Sequence, residues 1–245
     1  MNVQKSALGG LNCHLIDQLP DGAEASLAVV LCHGFGAPGT DLVSIGSELL
    51  SVYPRFGQTL RFIFPEAPLS LEDYGMPGGR AWWPLDLERM TAAIERGELR
   101  DLRNDLPDGL AEAREKLTSL VEDVQQRHGL PTSRIVLGGF SQGAMLATDV
   151  TLRLPELPAG LCIFSGTLLC EQEWKPLAAE RGPLPIVQSH GHQDPLLPFQ
   201  AAEWLRELLT DAGFDVDFVP FAGPHTIPVE ALQHFAALLS RLTMD

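Results

Sequence analysis

The chain lacks the long apolar segments that would place it in a membrane. No stretch approaches the roughly 20 uninterrupted apolar residues of a transmembrane helix, and the N-terminal MNVQKSALGG lacks the apolar core of a signal peptide. We therefore expect a soluble, cytoplasmic protein without stable membrane insertion.

Basic residues are also scarce. The 17 Lys and Arg residues stand against 32 Asp and Glu residues, which gives a formal net charge of −15, and no run of Lys or Arg forms a basic patch. A chain of this charge repels phosphate backbones and anionic membrane surfaces. We expect no nucleic-acid partner, while the acidic balance by itself leaves the activity open.

Cysteine is rare and is not arranged as a metal site or a disulfide framework. The chain has four cysteines: Cys13, Cys32, Cys162 and Cys170. They show no CxxC pairing and no matching set of histidines, and two of them lie in apolar runs, so we expect buried structural thiols. His190 and His192 are two residues apart but have no evident third ligand. The sequence therefore predicts no metal site.

What the sequence does contain is an alternation of short apolar runs with longer segments of helical period. Six apolar runs predict buried parallel strands at residues 28–34, 60–66, 134–140, 160–166, 184–191 and 216–223. Residues 11–17 alternate between apolar and polar and predict an antiparallel edge strand. Helices are predicted at residues 142–153, 199–212 and 228–242. The alternation is typical of an α/β fold with a mostly parallel central sheet and helices on both faces.

The helix predicted after Pro107 has the clearest period. Apolar residues recur every three or four positions from Leu110 to Val124, with Asp108 placed to cap the start and Gly129 to close the end. The chain is 45% apolar and shows neither an internal repeat nor a linker. We therefore expect residues 1–245 to form a single domain.

One connection is far longer than the others. Roughly forty residues separate the strand that ends near Glu66 from the helix after Pro107, where βα loops usually have two to six. This 66–107 insertion holds the adjacent Trp82 and Trp83, followed by an amphipathic stretch at residues 85–102. We interpret it as a lid or pocket wall, with both tryptophans in the substrate pocket. The alternative is that the two tryptophans only anchor the insertion to the core.

The segment GGFSQGAML places Ser141 between a buried strand and the start of a helix. A GxSxG match alone is weak evidence, but a nucleophile elbow requires this strand, turn, helix arrangement. Glycines are needed two residues before and after the serine, because the tight turn crowds those positions, and Gly139 and Gly143 occupy them. Ser141 is therefore our candidate nucleophile.

A serine hydroxyl needs a histidine to take its proton and a carboxylate to orient that histidine. His225 and Asp194 each follow a predicted strand, at the same edge of the sheet as Ser141. Each has a plainer explanation on its own, since Asp194 precedes a proline in a turn and His225 lies in a loop. Together they give the order Ser, Asp, His that is typical of α/β-hydrolases.

An oxyanion hole needs two backbone N–H groups directed at the developing alkoxide. We assign one to Gln142, directly after Ser141, and the other to Phe35 in the glycine-rich loop LCHGFGAPG. His33 in this loop is interpreted as a structural hydrogen-bonding residue, because the role of base is already filled by His225.

These motifs resemble the phospholipase/carboxylesterase family, which includes bacterial carboxylesterases and acyl-protein thioesterases. HGFGAPG, GGFSQGAML, HGHQDPLLP and GPHTIP carry the resemblance, which extends from about residue 28 to 240. It implies an α/β-hydrolase fold, a cytosolic serine hydrolase without a cofactor, oxyanion N–H groups from Phe35 and Gln142, and an acyl pocket lined by the tryptophan-bearing insertion. The chain departs from the common HGLGD at Phe35 and Ala37, on the substrate side of the site.

We therefore expect a carboxylesterase that cleaves a small-molecule ester or thioester through an acyl-enzyme at Ser141. One alternative keeps the same residues but acts on long acyl chains, as an acyl-protein thioesterase or lysophospholipase. Another is a hydrolase-like protein that binds a ligand without catalysis; it is disfavoured because no triad residue is missing. The oligomeric state stays open, with a homodimer as one option.

Overall fold

The computed structural model describes residues 1–86, 96 and 101–244. The strands in these ranges are β1 (Asn2–Leu8), β2 (Leu11–Asp17), β3 (Leu27–Cys32), β4 (Leu60–Pro65), β5 (Leu69–Ser70), β6 (Arg80–Ala81), β7 (Ile135–Phe140), β8 (Gly160–Phe164), β9 (Pro185–Gly191) and β10 (Asp215–Phe221). Eight of them form one sheet in the order β1-β2-β4-β3-β7-β8-β9-β10, and β5 pairs with β6 separately.

Six neighbouring strands of this sheet are parallel, as predicted: β4, β3, β7, β8, β9 and β10. In five of them, β4, β3, β7, β8 and β9, nearly every residue is buried, which explains why they form continuous apolar runs in the sequence. The carboxyl ends of parallel strands meet at one edge of the sheet. The loops that leave β3, β7, β9 and β10 therefore converge there.

The prediction for residues 11–17 is half right. β2 is antiparallel to β4, but it is not an edge strand, because β1 pairs along its other side from Asn2 opposite Asp17 to Leu8 opposite Leu11. Gly9 and Gly10 connect the two strands with φ values of 57° and 73°, which suit a tight hairpin. β1 was not predicted, because most of its side chains are exposed and lack an apolar period.

The helices that the structure describes are α1 (Val43–Val52), α2 (Leu110–His128), α3 (Gln142–Arg153), α4 (Glu171–Ala179), α5 (Phe199–Asp211) and α6 (Val229–Leu242). The four helices predicted from the sequence are present, and α1 and α4 were not predicted. None of the described helices is long and apolar enough to cross a membrane.

Helices cover both faces of the sheet. Val30 packs in a core with side chains of α2, α3, α4 and α5. Its neighbours Val29 and Leu31 point the other way, into a second core closed by α1 and α6. One strand thus contributes to both cores, as expected of a sheet buried on both sides.

The start of α2 differs from the prediction. The residue that caps it is Gly109, with φ of 88°, and no side chain caps the helix, so Asp108 is not the N-cap. The left-handed backbone at this position favours glycine, and a Cβ there would also lie 3.3 Å from that of Trp83. Gly129 ends the helix in the left-handed conformation, as predicted.

The four cysteines are buried and unpaired. Burial raises the pKa of the Cys13 and Cys170 thiols to about 12, so neither is a thiolate at neutral pH. The prediction of buried structural thiols is confirmed. Among the residues that the structure describes, no group of three His, Cys, Asp or Glu side chains is placed to hold a metal ion.

The 66–107 insertion is described in part. It begins with the β5/β6 hairpin and the two tryptophans, and it ends in residues 101–107. The end is fastened to the fold, because Glu171 N–H donates to the Arg103 carbonyl at 2.7 Å and the Arg103 guanidinium lies 3.8 Å over the Trp204 ring. The amphipathic stretch predicted at residues 85–102 lies largely outside the described residues.

Candidate active site

Ser141 lies on the sharp turn between β7 and α3. Its φ of 54° is in the left-handed region, which is strained for a residue with a side chain. A Cβ on Gly139 or Gly143 would lie 2.3 Å or 2.2 Å from the backbone oxygen of Cys32, so both positions require glycine. The predicted strand, turn, helix arrangement is confirmed, and the turn places Ser141 on the wall of a cavity.

Asp194 and His225 meet at the carboxyl ends of β9 and β10. The Nδ1 atom of His225 lies 2.5 Å from Oδ2 of Asp194. The other carboxylate oxygen, Oδ1, accepts the backbone N–H groups of Leu196 at 2.8 Å and Leu197 at 2.9 Å. The Asp194 carboxylate is therefore bonded at both oxygens and has little freedom to rotate.

The charge of Asp194 fixes the tautomer of His225. Burial alone would raise the pKa of the Asp194 carboxyl, but hydrogen bonds from His190 and His225 hold that pKa well below its usual range. An ionised carboxylate only accepts hydrogen bonds, so His225 Nδ1 carries a proton. The Nε2 atom of a neutral His225 is then left as the basic nitrogen.

His225 lies beside the Ser141 turn. Its ring contacts that of Phe140, the residue before Ser141, with centroids 4.6 Å apart. Ser141 and His225 both line the same cavity. The structure thus brings together the three residues predicted from separate parts of the chain: Ser141 with His225 at one cavity, and His225 with Asp194 by a hydrogen bond.

The loop that carries His225 is bonded to the side chain of Ser165. The Ser165 hydroxyl, which is fully buried, donates to the Thr226 carbonyl at 3.1 Å. Its backbone is also strained, with φ of 50°, and its N–H donates to the Ser189 carbonyl at 2.9 Å. Ser165 was not predicted as part of the site. Its only signal in the sequence is its position directly after β8.

In the loop after β3, the side chain of His33 orients the peptide that carries the Phe35 N–H. His33 Nδ1 lies 2.8 Å from the Gly34 carbonyl oxygen, and because a trans peptide is planar, this contact directs the Phe35 N–H to the opposite side. His33 Nε2 accepts the Ala67 N–H at 3.1 Å. Burial lowers the pKa of His33, which keeps the ring neutral. Its interpretation as a structural hydrogen-bonding residue is confirmed.

Phe35 and Gln142 both border the cavity beside Ser141. Within the described part of the chain, neither of their backbone N–H groups has a hydrogen-bond acceptor. Gln142 is the first residue of α3, where the helix dipole favours negative charge. The two N–H groups are thus free to bind an anionic oxygen at this wall.

The side chain of Gln142 has a second connection, which was not predicted. Its Oε1 accepts the Trp82 N–H at 2.9 Å, and its Nε2 donates to the Trp83 carbonyl at 2.9 Å. The residue after the candidate nucleophile therefore clamps the backbone of the 66–107 insertion. No sequence pattern distinguishes this role from that of an ordinary helix-start glutamine.

The two tryptophans differ in position, although each is only 1% exposed. Trp83 borders the cavity. Trp82 does not lie on the cavity wall as predicted but behind it, where its indole N–H donates to the His33 carbonyl at 2.9 Å. The anchoring alternative therefore describes Trp82.

The cavity has a volume of about 880 Å³ and a wall of mixed chemistry. Apolar side chains, among them Trp83, Met145, Leu169 and Leu197, form part of this wall. Residues 101–108, at the end of the insertion and just after it, contribute three aspartates. A cavity of this size accepts a small organic molecule with an extended apolar portion.

Residues 19–243 match the profile of the family described as Phospholipase/Carboxylesterase. Similar proteins include acyl-protein thioesterase 1 of Kluyveromyces lactis, which is 28% identical over 224 residues, 89% of this chain and 92% of that protein. Acyl-protein thioesterase 1 of Gibberella zeae is 25% identical over 227 residues, 91% of this chain and 93% of that protein.

Solved structures give the same picture of the fold. Esterase PE8 superposes with a TM-score of 0.76 and 29% identity, covering 99% of this chain and 100% of that one. A carboxylesterase from Mesorhizobium loti has a TM-score of 0.70 with 17% identity, over 98% and 99% of the two chains. The second likeness bears on the fold alone, which is that of the α/β-hydrolases.

Proposed function

Because the chain belongs to the phospholipase/carboxylesterase family of hydrolases, we propose that it is a serine esterase that cleaves carboxylic esters through an acyl-enzyme. Ser141 is the nucleophile, His225 the general base and acid, and Asp194 the residue that orients His225. The Phe35 and Gln142 N–H groups form the oxyanion hole, and Trp83 lines the acyl pocket. The 66–107 insertion acts as a wall of that pocket.

One observation carries this proposal. The 2.5 Å contact between Asp194 and His225 lies beside a strained serine, and that serine and the histidine share one cavity. A histidine oriented by an ionised carboxylate is the group that activates a serine hydroxyl at neutral pH. The 29% identity to esterase PE8 over nearly the whole chain supports the choice of an ester as substrate.

Acylation follows from these positions. His225 Nε2 takes the proton of Ser141 Oγ as the oxygen bonds to the ester carbonyl carbon. The carbonyl oxygen becomes an oxyanion that accepts the Phe35 and Gln142 N–H groups. When the tetrahedral intermediate collapses, the carbon–oxygen bond to the leaving alcohol breaks, and His225 gives that alcohol its proton. Asp194 stays ionised and stabilises the imidazolium throughout.

Deacylation repeats these steps with water. His225 takes a proton from a water molecule, whose oxygen bonds to the acyl carbon of the Ser141 ester. The same two N–H groups hold the second oxyanion. Its collapse breaks the bond to Ser141 Oγ, which regains its proton from His225, and the carboxylic acid leaves.

The test is hydrolysis of p-nitrophenyl acetate and butyrate by the wild type, Ser141→Ala and Ser47→Ala. Ser47 is a matched control, because among the described residues its hydroxyl bonds only to the Val43 carbonyl of α1, at 3.0 Å. We expect Ser141→Ala to lose at least about a thousandfold in kcat and Ser47→Ala to keep wild-type rates. Full activity in Ser141→Ala, with all variants folded, would refute the proposal.

A second candidate keeps these residues and changes the substrate to a long-chain thioester or a lysophospholipid. Two observations favour it: the cavity of about 880 Å³ with its apolar wall, and the similarity to proteins named acyl-protein thioesterase. A panel of p-nitrophenyl esters and acyl thioesters from acetyl to palmitoyl separates the two. Turnover that rises with chain length supports this candidate, and turnover that peaks at butyryl and vanishes by palmitoyl rejects it.

A further inference from the structure

His190 is a buried histidine that the mechanism above does not use. It lies near the end of β9, is 0% exposed, and precedes Asp194 by four residues. Its Nε2 atom lies 2.9 Å from the Leu197 carbonyl oxygen and 3.2 Å from Asp194 Oδ2. Both of these atoms are acceptors, so Nε2 must carry the proton, which is bonded to the Leu197 carbonyl and lies against the Asp194 carboxylate.

The other ring nitrogen agrees with this tautomer. His190 Nδ1 is buried and has no hydrogen-bond partner among the described residues. A proton on Nδ1 would leave a buried donor without an acceptor, which is more costly than an unused lone pair. The Nε2–H of His190 is therefore the one aimed at the turn that carries Asp194.

His190 Nε2 contacts the same carboxylate oxygen, Asp194 Oδ2, that bonds His225. Asp194 Oδ1 is fixed by two backbone N–H groups, whereas Oδ2 is shared between His225 Nδ1 at 2.5 Å and His190 Nε2. Without His190, Oδ2 would have His225 as its only side-chain donor in the described structure. The other titratable group nearby is His192, whose ring packs on that of Phe199 with centroids 4.0 Å apart. The Phe199 ring also neighbours His190.

We propose that His190 is a positioning residue: its Nε2–H is bonded to the Leu197 carbonyl and lies against Asp194 Oδ2, and this contact holds the Asp194 carboxylate in place for His225. The proposal rests on the proposed function of Asp194 and His225. It predicts two effects of losing the His190 N–H. The Asp194 carboxylate is held less firmly, and the negative charge of its Oδ2 is less neutralised, so that it interacts more strongly with His225. The first lowers kcat. The second stabilises the imidazolium and moves the acid limb of the pH profile to higher pH.

The test compares His190→Leu with His190→Gln, whose Nε2 can supply the same donor. We expect His190→Leu to lose about tenfold in kcat with little change in KM, and its acid limb of kcat/KM to move up by about half a pH unit. His190→Gln should recover most of both. The matched control is His234→Leu, which breaks the half-exposed pair of His234 with Asp217, 2.7 Å apart. Neither residue of this pair lines the cavity.

A folded His190→Leu variant with wild-type kcat and an unmoved acid limb would overturn the proposal. A merely structural role would lower thermal stability in both variants but leave the profile in place, which also overturns it. A wild type that hydrolyses no ester defeats the proposed function instead.

A measurement on the wild type covers the case in which His190→Leu does not fold. Nitrogen-15 NMR of histidine-labelled protein should show His190 as the Nε2–H tautomer. An Nδ1–H tautomer would contradict the proposal, because Nε2 would then be a lone pair facing two acceptors. This readout does not depend on enzymatic activity.

Discussion

The carboxamide of Gln142 is joined to the backbone of Trp82 by a hydrogen bond of 2.9 Å, which Trp82 N–H donates to Gln142 Oε1. The other end of the same carboxamide donates to the Trp83 carbonyl. One side chain thus keeps the 66–107 insertion in register with the turn that carries Ser141. The cavity wall at Trp83 and the candidate nucleophile are not independent.

Replacing this carboxamide should disturb the cavity without removing any backbone donor. In Gln142→Met the buried Trp82 N–H and Trp83 carbonyl lose their partners, at a cost of about 1–3 kcal/mol each. We expect a lower melting temperature and a rise in KM that is larger for long acyl esters than for acetate. Gln142→Glu keeps the acceptor but points a second oxygen at the Trp83 carbonyl, so it should be no better. Unchanged KM values across the acyl series would contradict the clamp.

A glycine beside Ser141 can be compared with a glycine in open space, Gly143 with Gly182. In Gly143→Ala the new Cβ would meet the Cys32 oxygen at 2.2 Å and the His33 oxygen at 2.5 Å, so the backbone must move. We expect a loss of about 2–4 kcal/mol in the free energy of unfolding and most of the activity. Gly182→Ala meets nothing within 4 Å and should stay within about 0.5 kcal/mol. Chemical denaturation of both variants tests this, and similar losses would be inconsistent with the crowded turn.

The sequence was informative where burial imposes a period and uninformative where single contacts decide. The parallel strands could be predicted because both of their faces are buried, and the edge of the sheet at which Ser141, Asp194 and His225 meet followed from their order along the chain. β1 could not be predicted, because its exposed side chains are free of any apolar pattern. Residue type predicts Asp108 as the cap, whereas the backbone at the helix start is left-handed and close to Trp83, which favours Gly109.

The separation of the two tryptophans was beyond the sequence for the same reason. Adjacent residues of one type cannot be ranked by pattern, and only tertiary contacts place Trp83 at the cavity and Trp82 behind it. The roles of His190 and Ser165 depend on single hydrogen bonds across strands, which no spacing announces.

Asp149 in α3 should matter to stability more than its distance from the cavity suggests. Its fully buried carboxylate accepts the Arg114 guanidinium at 2.5 Å, the Arg153 guanidinium at 3.1 Å and the Trp174 indole N–H at 2.8 Å. These contacts tie α2 and α4 to α3, the helix that begins directly after Ser141. Asp149→Ala removes the acceptor from all three, and we expect a loss of about 2–4 kcal/mol by urea denaturation, less than for a wholly buried pair because both arginines keep some contact with water. A loss below about 1 kcal/mol would contradict this account.

Acid should destabilise the fold partly through His33. Because burial lowers the pKa of His33 in the folded state, the unfolded chain, whose histidines titrate near about 6.5, binds the proton first. The free energy of unfolding contributed by this group is therefore fully present above about pH 6.5 and falls as the pH drops from there toward the lower folded pKa.

His33→Asn tests that contribution. The variant should lose less stability than the wild type between pH 7.5 and 5.5, by about 1 kcal/mol, whatever its stability at pH 7.5. The pKa of His128 is also lowered, first by burial and then by Arg61, so the same comparison is made in a His128→Asn background. An equal loss in the presence and absence of His33 would argue against the neutral buried ring.

The central claim is that Ser141 is an activated nucleophile, and covalent trapping tests it most directly. The folded protein is treated with a fluorophosphonate, and the site of modification is mapped by peptide mass spectrometry. We predict one adduct, on Ser141, that is nearly absent in His225→Ala, because an unactivated hydroxyl reacts slowly. An unmodified Ser141 in the wild type, or equal labelling in His225→Ala, would contradict the account.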